Sequence, residues 1–532
     1  MKKKWKLGML LTLLLVFVMQ MTVMAAGESV TINYCYIEGD QVIVIGSGAV
    51  AASDDGNYYL FALKPYEAGV GARTDYCASA PAAELVQFTT PLGLDTAASK
   101  LYSRFVVTAL RGGAFVPVST EMYITNPEAV AKASTKSIAE ATGNKKGLYC
   151  GWQYAQYLSD LGAGYVASVL NTADFFNGGG VNYTYNGKTY QFNAQQVQST
   201  DILVRLYNAQ NVDIVMTIVN GYNAANADMV YPEALTTGKH PNYYAFNVEN
   251  PSGEEKLEAF MSFISERYSG GQYGSIHNYV IGNEVNSSDS WHYAGEISVD
   301  EFAVKYAKQF RVCYNAIKSH NMGANVYICT DQRWLHNDGG SSYGGKPVLD
   351  GFNAEILRTG NINWGLSFHP YPAPLANTNF WTDAPGYGPL RLVDHTENTK
   401  MITPLNMEVV TNYMQKPEYL APSGAVRNIF ISELGFSSMS TVSPGVDEGV
   451  QAAALVYAFK LIQANPYIKG VAFNSVIDND FEVANDKLAV GLMRSDTAQK
   501  PAYSAFQNMD KANMDHFLPY IGASSWAQLG VQ

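Results

Sequence analysis

Cysteine is scarce, with Cys35, Cys77, Cys150, Cys313 and Cys329 the five in 532 residues. So sparse and odd a set cannot be a disulfide framework, because at least one thiol stays unpaired. Cys35 and Cys77 could bridge two strands, or both could pack as small hydrophobes; the spacing leaves either open. Charge is also thin, with Asp, Glu, Lys and Arg together making up 15% of the chain. No dense basic run occurs after Lys6, so nothing is built to follow a phosphate backbone, and nucleic acid and other anionic polymers are poor partners. CxxC and histidine-rich spacings are missing too, which leaves no metal site or organic cofactor to expect.

Long apolar runs are limited to Leu7–Met24, which follows Lys2, Lys3, Lys4 and Lys6 and precedes Ala25 and Ala26. That is the layout of a cleaved secretory signal over residues 1–26, with an uncleaved anchor as the alternative. The expected location is outside a bacterial cell, secreted or at the cell surface, with no membrane contact after cleavage. Removing the signal with its four lysines takes the formal charge from −12 to −16. About 506 residues with 47% hydrophobic composition can bury a large core and exceed one ordinary domain.

From residue 27 to 126, short β-rich runs alternate with turns: VTINYCYI, QVIVIGSG, NYYLFALKP, LVQFTT, SRFVVTAL and AFVPVS. This spacing predicts a small all-β sandwich, with glycan binding or simple support of its neighbour as its role. Residues 127–146 are polar and alanine-rich and read as a linker. From residue 147 to 532 the pattern becomes strand then helix, repeated eight times, with strands at GLYCG, YVASVLN, VDIVMTIVN, NYVIGNEVN, NVYICTD, INWGLSFHPY, NIFISELG and KGVAFNSVID. Alternation of this kind gives a parallel sheet, and eight units over roughly 370 residues predict an α/β fold closed as a (β/α)8 TIM barrel. Two inserts interrupt it and are expected on the C-terminal rim. Gly178 to Phe192 reads as a hairpin turned at Asn186-Gly187, and the Gly/Ser/Asp-rich stretch Gln332 to Gly345 reads as a mobile lid.

On this count Glu284, in GNEVN, ends strand four and Glu433, in ISELGFSS, ends strand seven, 149 positions later. Barrel chemistry sits on that rim, and carboxylates are costly at the edge of a core unless they have a task. Two carboxyls facing across a cleft suffice to cleave a glycosidic bond without metal or cofactor, one protonating the leaving oxygen and the other ionised. Around them, Asn171 and Asn220 end strands two and three and could meet sugar hydroxyls or serve as turn residues. Trp152, Trp291 and Trp334 follow strands one, four and five and could stack on sugar faces or pack within loops. Trp364 lies within a strand and reads as core. Asp478, Asp480, Glu482 and Asp486 read as a solvated face rather than an ion site, because their spacing fits no known loop.

The barrel half, from about Gly147 to Met509, resembles clan A, a superfamily of retaining glycoside hydrolases. There an asparagine precedes the acid/base glutamate at the end of strand four, and the nucleophile ends strand seven. Asn283-Glu284 is similar to the first feature and Glu433 to the second. His369-Pro370-Tyr371 is similar to the family's contacts beside the nucleophile, and GLMRSDTAQKPAYSAF to its tail. The resemblance implies that Asn283 binds the hydroxyl next to the anomeric carbon and that Tyr371 hydrogen bonds Glu433. The chain departs from many members in placing Phe473 and Asn474 where a tryptophan ends strand eight, which makes Asn474 a candidate substrate contact, and from some in having Asn171 where an arginine follows strand two. The expected function is therefore a secreted retaining glycoside hydrolase acting on a β-linked neutral oligosaccharide or polysaccharide. A transglycosylase with the same residues and a non-catalytic glycan-binding barrel are the alternatives; a metal-dependent esterase lacks its His/Asp cluster.

Overall fold

The computed structural model describes residues 29–337, 339–382, 392–439, 447–511 and 513–531, so the expected signal segment lies outside the described residues. The chain divides into two compact units. The described residues of the first run to Pro91 and resume at Ser103–Thr125 with Arg358–Gly360, and the remainder form the second.

In the first unit, β1 (Val30–Glu38), β2 (Gln41–Gly48), β3 (Asn57–Leu63), β4 (Ala78–Pro81), β5 (Leu85–Pro91), β6 (Arg104–Arg111), β7 (Ala114–Pro117) and β8 (Met122–Tyr123) make two antiparallel sheets. One is ordered β1-β2-β5 and the other β4-β3-β6-β7, with β8 also on β6. Strict in-out alternation along β5 marks a strand with one face on a core. Cys35 and Cys77 form no disulfide, so the option of a bridge between them gives way to packing, with the Cys77 thiol donating to the Leu60 carbonyl at 3.2 Å.

The second unit is a closed parallel barrel, the TIM fold. Its strands are β9 (Lys146–Tyr149), β10 (Tyr165–Asn171), β13 (Asp213–Val219), β14 (Asn278–Ile281), β15 (Asn325–Thr330), β16 (Gly365–Phe368), β17 (Ile429–Leu434) and β18 (Ile468–Phe473), with β11 (Gly180–Tyr185) and β12 (Lys188–Asn193) forming a separate hairpin. The helices behind them are α1 (Gln156–Leu161), α2 (Ala194–Ala209), α3 (Pro251–Arg267), α4 (Val299–His320), α5 (Gly345–Arg358), α6 (Glu408–Tyr413), α7 (Glu448–Ala464) and α8 (Pro501–Asn508). Every residue of β13 is buried, as expected for a strand covered on both faces. Helix starts follow local chemistry: Asn250 caps α3 by accepting from the Ser252 and Gly253 N–H groups ahead of a proline first turn.

The lower barrel is filled by rings. Tyr165, Tyr327 and Phe430 share one buried cluster, with the Tyr165 and Phe430 ring centroids 5.0 Å apart edge to face. Neighbouring strands make room with glycine: a Cβ on Gly365 would stand 2.5 Å from the Tyr327 ring, and one on Gly470 2.6 Å from Phe430 and Tyr165. Buried Lys146 joins the first and last strand–helix repeats of the barrel by donating to the Leu161 and Phe506 carbonyls and pairing with Asp510 at 2.6 Å. The stretch expected as a linker caps the barrel floor. Its short helix Ile138–Thr142 places Ala139 in the same cluster.

The hairpin turns at Asn186 and Gly187, both at positive φ, as a two-residue connection requires. It does not rise over the rim as expected. Its Phe192 ring stacks 4.6 Å from Phe263, and Tyr183 donates to Glu266, both on α3. Apolar surface facing α3 is what draws the insert to the barrel's flank. Among the described residues, no helix is long and apolar enough to cross a membrane.

Candidate active site

The turn after β14 is set by backbone geometry. Gly282 takes φ +79, and a Cβ there would lie 2.7 Å from both His292 Nδ1 and Val285 Cγ1. Burial holds His292 down to about 3, against the contact with Gln309 that raises it, so the ring behind this turn is neutral. Glu284 itself sits at φ +39, a left-handed conformation that costs about 1–2 kcal/mol for a residue with a Cβ. The turn is tied down where Val285 N–H donates to Cys329 O at 2.9 Å and Ser287 N–H to Glu284 O at 2.7 Å. Strain held this firmly is a mark of functional sites.

Glu433 lies within β17, whose register against β18 slips between Ile431 and Leu434. Strict alternation would send Ser432 and Glu433 to opposite faces. The bulge instead brings both to one histidine, as bulges beside active sites do. That histidine is His369, just past β16. Its Nδ1 stands 2.8 Å from Glu284 Oε1 and 3.6 Å from Glu433 Oε2. Those two oxygens are therefore no more than 6.4 Å apart, the sum of their distances to one atom. On the other side His369 Nε2 is 2.9 Å from Ser432 Oγ and 3.3 Å from Cys329 Sγ, and Ser432 Oγ is 2.6 Å from Ser367 Oγ. The imidazole is 2% exposed, whereas Glu284 and Glu433 are 15% and 27% exposed, so the acids can be reached and the ring cannot.

Burial alone would lower the His369 pKa, yet contact with Cys329 and the carboxylates of Glu284 and Glu433 outweighs it and holds the ring well above its usual value. Tyr371 donates to Glu433 Oε1 at 2.7 Å, and Asn474 Nδ2 donates to the same oxygen at 3.2 Å. Burial and the Glu433 charge push the Tyr371 hydroxyl far up, so it stays a donor. A third carboxylate stands behind Glu284. Asp331, just past β15, is pushed up to about 6 by burial and by the Glu284 charge, against the downward pull of Arg333.

A family model described as a family of unknown function (DUF5722) matches residues 138–529. The chain belongs to DUF5722. No curated protein matches it. Solved structures similar to this DUF5722 chain include a family 39 glycoside hydrolase from Bacteroides cellulosilyticus WH2, with 15% identity and a TM-score of 0.46 over 87% of this chain and 79% of that one. Another is a GH5_18 structure from Bifidobacterium longum, with 13% identity and a TM-score of 0.44 over 69% and 78%. A third, the exo-β-1,4-mannosidase Op5Man5 from an Opitutaceae bacterium, has 13% identity and a TM-score of 0.40 over 70% and 59%. At these identities the site's chemistry is carried by this DUF5722 chain's own residues.

Of the residues expected at the site, Glu284, Glu433, His369, Tyr371 and Asn474 come together, and Asn283 adjoins Glu284, half-buried. Asn220 is a correction: it is 0% exposed, and its amide is committed to Thr172, Asn226 and the Met229 carbonyl. Asn171 is half-buried and spends its side-chain oxygen on the Ala173 and Gly221 N–H groups, which makes it a turn residue. Trp334 is a second correction, buried with its indole N–H on Glu397 O at 3.1 Å and its ring edge-on to Tyr413. Trp152 is 59% exposed, and half-buried Trp291 tilts against Tyr243 at 6.0 Å; both rings keep open surface.

Position 338 of the expected lid lies outside the described residues, and the part that follows it is packed. Ser341, Ser342 and Tyr343 are buried, with Ser341 N–H on Asp289 and Tyr343 N–H on Asn286 O. In the acidic cluster Asp478 pairs with Lys500 at 2.8 Å, whereas burial and the Glu433 charge raise the Glu482 carboxyl. Sequence reading missed Ser432, Cys329 and Asp331. Asp331 ends a buried strand with an acid, the same signal that marked the two glutamates.

Proposed function

We propose that the barrel cleaves O-glycosidic bonds by double displacement, with Glu433 as nucleophile and Glu284 as acid/base. The observation that carries this is the meeting of two carboxyls from strands four and seven on one imidazole nitrogen, with their oxygens at most 6.4 Å apart. Carboxyls about 5–5.5 Å apart let one attack the sugar directly, whereas inversion needs about 6.5–9.5 Å to admit a water. The bound on the oxygens favours the shorter arrangement. Donation from Tyr371 and Asn474 to Oε1 of Glu433 fixes the direction of its carboxylate.

The proton count of the trio fits the chemistry. His369 and Glu284 share a 2.8 Å contact, so a proton held on the imidazole can pass to Glu284 as the leaving oxygen departs. Formation of the glycosyl ester on Glu433 removes one negative charge; Glu284 then takes a proton from water as the water oxygen attacks the anomeric carbon and the ester bond breaks, which returns Glu433 as a carboxylate and the proton to the Glu284–His369 pair. The clan A resemblance supports a β-linked neutral glycan as substrate, and the signal-like layout of residues 1–26 supports export of the enzyme. A transglycosylase would use the same atoms with a sugar hydroxyl in place of water. A glycan-binding barrel gains little from two acids in one pocket.

Glu433→Ala tests the reading on activated aryl β-glycosides. Turnover should vanish while binding of the responsive glycan in calorimetry stays within about threefold. Unchanged turnover would end it.

A further inference from the structure

Behind the acid/base stands a buried carboxylate, Asp331, that the reaction has not used. Asp331 is 5% exposed and lies beside a turn whose glutamate holds a strained φ. Its Oδ1 accepts from Asn286 Nδ2 at 2.6 Å, and its N–H donates to Asn286 Oδ1 at 2.9 Å, so one residue grips Asn286 from both sides. Its Oδ2 accepts from Arg333 Nε at 2.6 Å, and Arg333 Nη2 reaches on to Ser287 Oγ. Asn286 is 0% exposed and meets the backbone of Tyr343 on its far side, its carbonyl accepting at 2.7 Å. Two residues of the turn, at positions two and three after Glu284, are thus clamped by one carboxylate and its arginine.

We propose that Asp331 is a positioning residue for Glu284, fixing through Asn286 and Arg333–Ser287 the turn that aims the acid/base at the glycosidic oxygen. This rests on the reading of Glu284 as acid/base. An amide at position 331 could fill the same space, but it would not hold Arg333 by charge. A buried carboxylate next to another acid is an unfavourable choice unless it serves the site.

A position that acts through the acid/base must be felt where protonation of the leaving group is felt. The test compares Asp331→Asn and Arg333→Met with wild type on a matched pair, the phenyl and 2,4-dinitrophenyl β-glycosides of the sugar that wild type cleaves. The phenyl substrate should lose about 30- to 100-fold in kcat/KM and the dinitrophenyl substrate, whose leaving group needs little proton, less than about threefold. Azide should raise kcat of the variants on the dinitrophenyl substrate, where deglycosylation limits turnover, and leave kcat on the phenyl substrate unchanged. Asp213→Asn, which removes a buried carboxylate at the opposite end of the barrel, serves as control and should leave the ratio of the two substrates unchanged.

Equal losses on both substrates would overturn the proposal. Separately, an activated 2-deoxy-2-fluoro β-glycoside should label Glu433 in wild type, read by peptide mass. Absence of labelling and of turnover would remove the double-displacement reading and this proposal with it. Labelling with a uniform loss would remove this proposal alone.

Discussion

The two ends of the barrel treat buried acid in opposite ways. At the floor, Asp213 is fully buried where β13 begins, and burial would raise its pKa. Instead it is held below the ordinary range by His277 at 3.1 Å, by the Ser137 hydroxyl and by the Ala139 N–H. At the rim Glu284 and Glu433 meet on one imidazole, and Asp331 is pushed up to about 6 by burial and by the Glu284 charge. A floor carboxylate supplied with donors stabilises the fold, whereas a rim carboxylate set beside another acid destabilises it and is kept for its chemistry. The barrel thus separates stability from function along its own axis.

The sharpest way to break this contrast is at the rim. Glu433→Ala should lower kcat on an activated glycoside by more than about 10⁴-fold, since the covalent step is lost. Its melting temperature should stay within a few degrees of wild type, because removal of one of two neighbouring acids relieves repulsion. A large drop in stability with residual turnover would mean that the rim is built like the floor.

The same substitution at the two ends should then give opposite pH slopes. The depressed pKa of Asp213 contributes stability that is present above about pH 4, the unfolded value, and lost as pH falls. Asp213→Asn should therefore cost about 2–3 kcal/mol at pH 7 in urea unfolding and progressively less toward pH 3. For Asp331 the raised pKa means that the native state keeps a proton the unfolded chain releases. Wild-type stability is lost as pH rises from about 4 to about 6, so Asp331→Asn should be more costly at pH 4 than at pH 7, by about 1–2 kcal/mol. Parallel slopes for the two variants would erase the distinction.

Much of this was legible in the chain. The eight barrel strands follow from runs such as DIVMTIV, whose continuous apolarity fits a doubly covered strand. Glu284 and Glu433 follow from acids placed where such runs end. What the sequence hid was non-local. Asn220 and Trp334 follow the right strands, but their surroundings consume them, and a neighbour 25 residues away such as Ala245 leaves no trace in local pattern. Ser432 was hidden by a bulge, because period-two reasoning places it away from its own neighbour. The hairpin was predicted in its turn but not in its docking, since the face of α3 that receives it is assembled only in the fold.

His369 offers a smaller test. The rim's charge should keep its imidazole protonated well above the ordinary histidine range, so ¹⁵N histidine spectra should show a charged ring at pH 7.5. The stability it contributes is full below about pH 6.5 and lost as pH rises through the folded value. Glu433→Ala should bring that titration down, since one of the charges supporting it is gone. A neutral His369 at pH 7 would remove the proton store and leave the acid/base dependent on water.

The smallest effect separates open rim from buried rim. Trp152 is 59% exposed and Trp334 3%, although both follow barrel strands. Trp152→Ala should change stability by no more than about 0.5 kcal/mol while raising KM for an oligosaccharide about three- to tenfold, through loss of a stacking face. A small aryl glycoside, too short to reach it, should be unaffected. Trp334→Ala should do the reverse, costing about 3–5 kcal/mol of stability without changing the ratio of KM for long and short substrates. If Trp152→Ala instead leaves KM equal for both, its ring serves no sugar and the outer rim contributes nothing beyond the acids at its centre.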